Sequence, residues 1–184
     1  GGIRFGLVAI KNIGRGFIRS VIREREEEGP FASLHDFCRR MAGSDMNKRA
    51  LENLIRAGAF DGTGARRSQL IRVYEKVLDA AASRQRQNLE GQLDFFGMST
   101  VSAVRRTEEV HLPDIPEFTA QERMTMEKET TGLYLSGHPM DAYRDIVRRL
   151  RVPQIGKVLE DFAQESGPTR FADGQYLTLA GVVT

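Results

Sequence analysis

The chain has 184 residues, of which 40% are hydrophobic and 28% charged, which is enough for one medium domain or two small ones with a buried core. Its single cysteine, Cys38, excludes an internal disulfide framework and a thiolate metal site within the chain. We expect no signal peptide, no membrane-spanning segment and no membrane partner, and we predict a cytoplasmic location.

The net charge of +2 hides an asymmetry between the two halves of the chain. Residues 1–86 carry 17 Lys/Arg and 10 Asp/Glu, a net charge of +7, whereas residues 87–184 carry 10 and 15, a net charge of −5. A basic half beside an acidic half predicts a polyanion partner for the first half only.

The first motif places two glycines around an arginine, between an apolar run at residues 5–10 and a helical pattern at residues 17–24. We predict a helix, a tight glycine turn with positive φ, and a second helix whose first N–H groups face outward toward a phosphate. This arrangement resembles the helix-hairpin-helix module, which binds the sugar-phosphate backbone without reading bases; an ordinary glycine-closed helix corner is the alternative. The predicted DNA-binding residues here are Lys11, Asn12, Gly14, Arg15 and Gly16.

Three helices are predicted next, and their apolar stripes indicate a shared core. Ser33 is a predicted N-cap, Asn47 opens the following helix through Arg56, and a long helix runs from Arg66 to about Ala82. The apolar stripes consist of Phe31, Leu34, Phe37, Met41, Leu51, Leu54, Ile55, Leu70, Ile71, Val73, Tyr74, Val77 and Leu78. Basic residues beside the turn at residues 58–64 suggest a second, less regular hairpin that adds Gly58, Arg66 and Arg67 to the predicted DNA-binding set. The predicted tandem helix-hairpin-helix domain covers residues 1–82.

Apolar periodicity fails over residues 83–117, which we predict to be a linker. Inside it lies Gln92-Leu93-Asp94-Phe95-Phe96, with a glycine on either side. Two adjacent phenylalanines in such a segment are typical of an extended peptide that places aromatic rings in a partner's pocket. The alternative is a loop whose aromatic rings fold back onto the nearest helices.

The remainder is predicted to be a helical connector, residues 118–165, followed by a strand. Thr119 and Glu122 form a predicted capping box, Asp141 can cap a helix through Leu150, and a short helix follows Pro153. Residues 176–183 have the pattern of a strand, and a single strand cannot form a sheet. The predicted fold class is therefore mainly α, with the start of a truncated β-domain at residues 166–184.

No catalytic constellation is evident in the sequence. There is no paired aspartate motif for two metals, no phosphate-binding glycine loop and no nucleophile elbow. The three histidines, His35, His111 and His138, are predicted to be capping or core residues. We therefore expect no active site, no metal ligand and no cofactor in this chain.

Three further motifs resemble the alpha subunit of bacterial replicative DNA polymerase III. They are residues 3–14, residues 54–61 and Gly132-Leu133-Tyr134-Leu135-Ser136-Gly137-His138-Pro139-Met140-Asp141. The resemblance covers essentially the whole chain, and it implies the end of the fingers region, the tandem hairpins and the first strand of an oligonucleotide-binding (OB) domain.

The same resemblance implies partners and a role for the linker peptide. In that family a Gln-x-x-aliphatic-Phe peptide binds the ring-shaped sliding clamp, and Gln92, Leu93, Asp94, Phe95 and Phe96 lie at its place, with Phe95 where an aliphatic residue is more usual. Duplex DNA, the clamp and, through other domains, further replisome subunits are the implied partners, while Mg²⁺ is expected only at the parent's palm domain. A freestanding repair-type DNA-binding module and a protein-interaction scaffold are the alternative functions.

Overall fold

The computed structural model of the chain describes residues 6–94, 110–164 and 167–182, with the backbone alone for residues 88–94. The chain divides into two compact units, Gly1–Leu135 and Ser136–Thr184. None of the described helices is long and apolar enough to cross a membrane.

Helices account for all the regular structure of the described residues, which confirms the mainly α class. The first unit contains two short 3-10 turns, Leu7–Ala9 and Asp61–Thr63, and the helices α1 (Arg15–Glu28), α2 (Leu34–Arg40), α3 (Lys48–Arg56), α4 (Arg67–Asp94) and α5 (Ala120–Thr131). The second unit contains a 3-10 helix, Pro139–Tyr143, and the helices α6 (Arg144–Arg149) and α7 (Ile155–Phe162).

Side-chain caps begin three of these helices where the sequence predicts them. Ser33 Oγ accepts the backbone N–H of Asp36 at 3.1 Å, and Asn47 Oδ1 accepts that of Ala50 at 2.9 Å. Thr119 forms the predicted capping box at the start of α5. Each cap satisfies a backbone donor that has no partner inside the helix.

The core of the first unit lies where α2 and α3 pack against α4. Phe37 is at its centre, and its ring meets Phe17 and Phe60 edge to face, with centroids 6.3 and 5.1 Å apart. The predicted apolar stripes are buried or half-buried, as expected from their helical spacing. The largest apolar side chains with under 2% exposure are Leu34, Leu51, Ile55 and Leu70.

Helix α4 continues well past its predicted end at Ala82 and reaches Asp94. Residues 83–94 lack apolar periodicity, but most are straight-chain helix formers and none is proline, so the helix propagates beyond the core. The predicted linker 83–117 is therefore helical over its first part. Gln92, Leu93 and Asp94, which are predicted to bind a partner as part of an extended peptide, have helical backbone in the chain alone, and Phe95 and Phe96 lie outside the described residues.

Helix α5 belongs to the first unit, whereas the sequence suggested a separate connector over residues 118–165. It packs against α3, and its buried Glu127 forms an ion pair with Arg67 of α4 at 3.0 Å. These long-range contacts could not be read from local periodicity.

In the second unit, the carboxylates of Asp141 and Asp161 accept hydrogen bonds from backbone N–H groups. Asp141 accepts the backbone N–H of His138 at 2.8 Å within a capping box that starts the 3-10 helix, so it acts one turn earlier than predicted. Asp161 is 2% exposed and accepts the N–H groups of Arg170 and Phe171 at 2.8 and 2.9 Å. Burial by itself raises the pKa of Asp161, but these backbone donors outweigh it and hold the pKa at about 2.

The predicted strand at residues 176–183 is not confirmed. Residues 175–182 have no regular structure, and no strand occurs elsewhere in the described ranges. A strand requires a neighbour for its backbone ladder, and the described part of the chain supplies none.

Candidate nucleic-acid interface

The N-terminus of α1 is open to an approaching ligand. Gly14 is the N-cap and offers no side-chain cap, and the first helical bond is Ile18 N–H to Gly14 O at 3.1 Å. The N–H groups of the first helical turn are therefore without a helical partner. A Cβ built on Gly14 or on Gly16 would meet nothing within 4 Å, so another surface can come close to this backbone.

The left-handed residue of the turn is Asn12, not a glycine. Asn12 has φ 62°, whereas Gly14 has φ −72° and Gly16 lies within α1. The predicted positive φ of the glycines is thus wrong, because asparagine tolerates the left-handed region and takes that role here. Because Gly14 and Gly16 have no side chain, they leave the backbone at the helix start open.

Two polar groups hold the turn from behind. The Lys11 N–H donates to Thr130 O at the end of α5 at 2.9 Å, and Asn53 Nδ2 of α3 donates to Lys11 O at 2.7 Å. Asn53 is only 8% exposed. Sequence reasoning missed Asn53, although a polar residue on the otherwise apolar face of α3 was the available signal.

The charge at this helix start is uncompensated. A helix N-terminus carries a partial positive charge that favours acidic residues in the first turn, and α1 has none there. Instead Arg15 is the first helical residue, and Lys11 lies in the preceding turn. Both side chains are exposed, and neither lies within ion-pair distance of a described carboxylate. An anion bound here would meet backbone donors and two cations together.

The second predicted site has a different construction, because Arg67 is buried. Its side chain is 4% exposed, and its guanidinium donates to both Asp61 oxygens at 2.8 and 2.6 Å and to Arg56 O at 3.1 Å. Burial lowers the pKa of Arg67, but its bonds to Asp61 and Glu127 outweigh that effect and raise it. Arg67 therefore stabilises the fold and is not accessible to a phosphate.

The space beside Gly58 is also filled by side chains of the same chain. It has φ 82°, and a Cβ at this position would overlap the guanidinium of Arg67 and lie 2.8 Å from Asp61 Oδ2. Its glycine identity is explained by the turn and by this ion pair, so no DNA contact is required to account for it.

The N-terminus of α4 is already filled by the chain itself. The Glu117 carboxylate accepts the N–H groups of Arg67 and Ser68 at 2.8 and 3.0 Å. Burial raises the pKa of Glu117, but bonds from Ser68, Phe118 and Arg67 outweigh it and lower it. Arg66 is half exposed and donates to Asp114 Oδ1 at 3.1 Å and to Ile115 O at 2.7 Å.

The two hairpins thus differ in what they offer to a ligand. The structure brings Lys11, Asn12, Gly14, Arg15 and Gly16 together at one exposed turn. It pairs Arg66 and Arg67 with carboxylates of the same chain and fills the space beside Gly58, so we leave these three residues out of the interface proposed below.

Metal binding and thiol chemistry are the other two kinds of chemistry to consider in the described part of the chain. No group of three or more potential ligands could hold a metal ion there. Cys38 is fully buried, and burial raises the pKa of its thiol to about 12, which makes it a poor nucleophile.

The open, glycine-flanked helix start with a basic rim is the geometry expected of a helix-hairpin-helix motif. Residues 1–70 match the helix-hairpin-helix motif family.

Across most of its length the chain is also similar to DNA polymerase III subunit alpha from several bacteria. It is 36% identical over 183 residues to that of Vibrio cholerae, with 100% of this chain and 15% of that protein covered. It is 39% identical over 159 residues to that of Chlamydia pneumoniae (85% and 13%) and 40% identical over 147 residues to that of Deinococcus radiodurans (78% and 11%). The chain belongs to the DNA polymerase III alpha-subunit family, and it spans 11–15% of the length of these relatives.

Proposed function

We propose that this chain is a DNA-holding region of a replicative polymerase, in which the first hairpin binds the sugar-phosphate backbone of duplex DNA. The observation that carries the proposal is the uncapped start of α1 with Lys11 and Arg15 on its rim. Backbone N–H groups and two cations at one exposed turn suit a phosphate oxygen.

The support behind the turn strengthens this proposal. Thr130 and Asn53 fix both backbone polar groups of Lys11, so the turn is ordered before DNA arrives. A pre-ordered site loses less conformational entropy on binding than a mobile one. The same contacts reach only the backbone, so we expect binding without sequence preference.

The test is a salt titration of duplex binding. Each phosphate contact contributes about 0.9 to the slope of log affinity against log salt. Lys11→Ala with Arg15→Ala should lower that slope by about 1.8 and weaken all sequences alike. Arg66→Ala at the second hairpin is the matched control, and it should leave the slope unchanged. Wild-type affinity and slope in the double variant would show that the first hairpin is not the DNA site.

We further propose that Gln92-Leu93-Asp94-Phe95-Phe96 binds a sliding clamp. This segment lies where the family resemblance places the clamp-binding peptide, at the end of α4. The described part of it, Gln92 to Asp94, is the last turn of that helix, and terminal turns open at little cost in free energy. The peptide can therefore extend when its aromatic rings enter an apolar pocket. The nucleotidyl transfer and its Mg²⁺ are proposed for other regions of such a subunit.

The polymerase proposal is preferred over a freestanding repair module or a scaffold. Its support is the similarity to polymerase subunits over 78–100% of this chain, which extends well beyond the hairpin motif.

A further inference from the structure

The outer face of α1 carries a stripe of arginines. Arg15, Arg19 and Arg23 follow one another at four-residue intervals, and all three are exposed. At 100° per residue they cover an arc of about 80° on one side of the helix. The buried residues of α1 lie on the opposite side: Phe17, Ile18 and Val21.

These arginines lack the partners that other basic residues of the chain have. No carboxylate of the described residues lies within ion-pair distance of the three side chains. By contrast, Arg40 pairs with Glu24 at 3.0 Å and Arg67 pairs with Asp61 at 2.6 Å. The stripe therefore presents positive charge that the described fold leaves unneutralised.

The order of charges along α1 disfavours the free helix. Like charges at four-residue spacing repel each other, and cations are disfavoured near a helix N-terminus. The acidic residues Glu26, Glu27 and Glu28 are in the last turn, where the helix dipole disfavours them too. A polyanion bound along the arginines would offset their mutual repulsion, so the charges at the N-terminal end of α1 would then favour the helix.

We propose that Arg19 and Arg23 extend the duplex site of the first hairpin along α1, each binding a further phosphate of the strand that the turn holds. This inference rests on the proposed function of the turn. Eight residues of helix span about 12 Å, and phosphates of one strand recur about every 3.4 Å along the duplex axis. The stripe is thus long enough for its arginines to meet different phosphates, and the acidic last turn of α1 limits the track by repelling the backbone beyond it.

The test uses charge-neutral variants of similar length, so that the helix is preserved. Arg19→Gln with Arg23→Gln is measured against a duplex of about 20 base pairs over a range of salt concentrations. We expect the salt slope to fall by about 1.8 and the affinity at about 0.1 M salt to fall about tenfold or more. The matched control is Arg25→Gln, which removes the same charge from an exposed residue on a different side of the same helix.

The outcomes separate this inference from the function on which it rests. An unchanged slope in the Arg19/Arg23 variant, with a reduced one in the Lys11/Arg15 variant, would overturn the track and leave the hairpin site intact. An unchanged slope in both variants would overturn the hairpin site as well. A loss per charge from Arg25→Gln as large as that from the stripe would overturn the track, because net charge alone would then explain binding. Cooperative thermal unfolding of every variant, with a midpoint close to or above that of the parent, is the folding check, because neutralising the stripe relieves the repulsion along α1.

Discussion

At the scale of single residues, the buried pair of Arg67 and Glu127 fixes the second hairpin to α5. Glu127 has 0% exposure, and its Oε2 also accepts the N–H of Leu135 at 2.8 Å. Arg67 connects the same carboxylate to Asp61 in the turn that follows α3. A buried charge without its partner is far less stable than the intact pair.

Replacing Arg67 with methionine should therefore destabilise the fold strongly. Arg67→Met keeps side-chain length but leaves Glu127 buried without its cation, so we expect a loss of about 3–5 kcal/mol in the free energy of unfolding. Chemical denaturation measures this loss. The matched control is Arg66→Met, whose ion pair is exposed and should contribute below about 1 kcal/mol. Equal effects of the two variants would contradict a structural role specific to Arg67.

The sequence only partly predicts that Arg66 is half exposed while Arg67 is buried. Both follow a glycine-rich turn, so both match the expectation of a basic rim. Arg67, however, precedes the buried Leu70 by three residues and shares its side of the helix, which is a signal for burial. One of its carboxylate partners, Asp61, is six residues away, but the other, Glu127, lies sixty residues further along the chain, and only the tertiary structure shows that contact.

At the scale of helices, the start of α4 illustrates a cap supplied by a distant segment. Glu117 lies about fifty residues after the two N–H groups that it accepts, and it acts as an N-cap normally would. Its lowered pKa has a defined effect on stability. The contribution of the cap is complete above the ordinary pKa of a glutamate and is lost as the pH falls through the lowered value in the folded chain.

Removing this cap should loosen the first turn of α4. Glu117→Ala should cost about 0.5–2 kcal/mol, the usual range for loss of an N-cap, and should speed amide exchange at Arg67 and Ser68. In the parent, protection of these amides should fall on acidification below the glutamate range, whereas in the variant it should not depend on pH there. Unchanged exchange at both amides in the variant would rule out the capping role. Duplex affinity should stay constant, since this helix start is not part of the proposed interface.

The sequence predicts an element correctly when the residues that determine it lie close together in the chain. Ser33, Asn47 and Thr119 were identified because a cap acts within three residues. The apolar pattern predicts too early an end for α4, because residues 83–94 continue the helix by propensity without an apolar face. The predicted strand at residues 176–183 was not found, because pattern alone cannot supply the neighbouring strand that a sheet requires.

At the scale of the whole molecule, the proposed function places two weak contacts on one chain. Under this proposal the α1 site would bind phosphates, and the peptide at residues 92–96 would bind the clamp. Burying one large apolar side chain contributes about 1.5–3 kcal/mol, so a short peptide with two rings should bind a clamp only in the micromolar range. When the clamp encircles the same duplex, either contact raises the effective concentration of the other.

Phe96 distinguishes this tether from a purely structural role for the peptide. Phe96→Ala should abolish binding to a purified clamp ring, with the free energy of unfolding and the duplex affinity nearly unchanged, because aromatic anchors carry most of the energy of such peptides. If the ring instead packs in the core, the variant should lose about 3–5 kcal/mol of stability. Phe37→Ala, at the centre of the aromatic cluster, is the control for that loss. A large fall in stability with clamp binding intact would exclude the tether.

The coupling of the two contacts is the stricter measurement on the same variants. For the parent chain, affinity for a clamp loaded on duplex DNA should exceed that for either partner alone by about 10²–10⁴, the range expected when two linked sites engage together. Phe96→Ala and the Lys11/Arg15 variant should each reduce affinity for the loaded clamp to that of the remaining single contact. Combining the two changes should leave only the residual duplex affinity of the Lys11/Arg15 variant. If the parent bound the loaded clamp no more tightly than free duplex, the two sites would not engage together and the chain would not act as a tether.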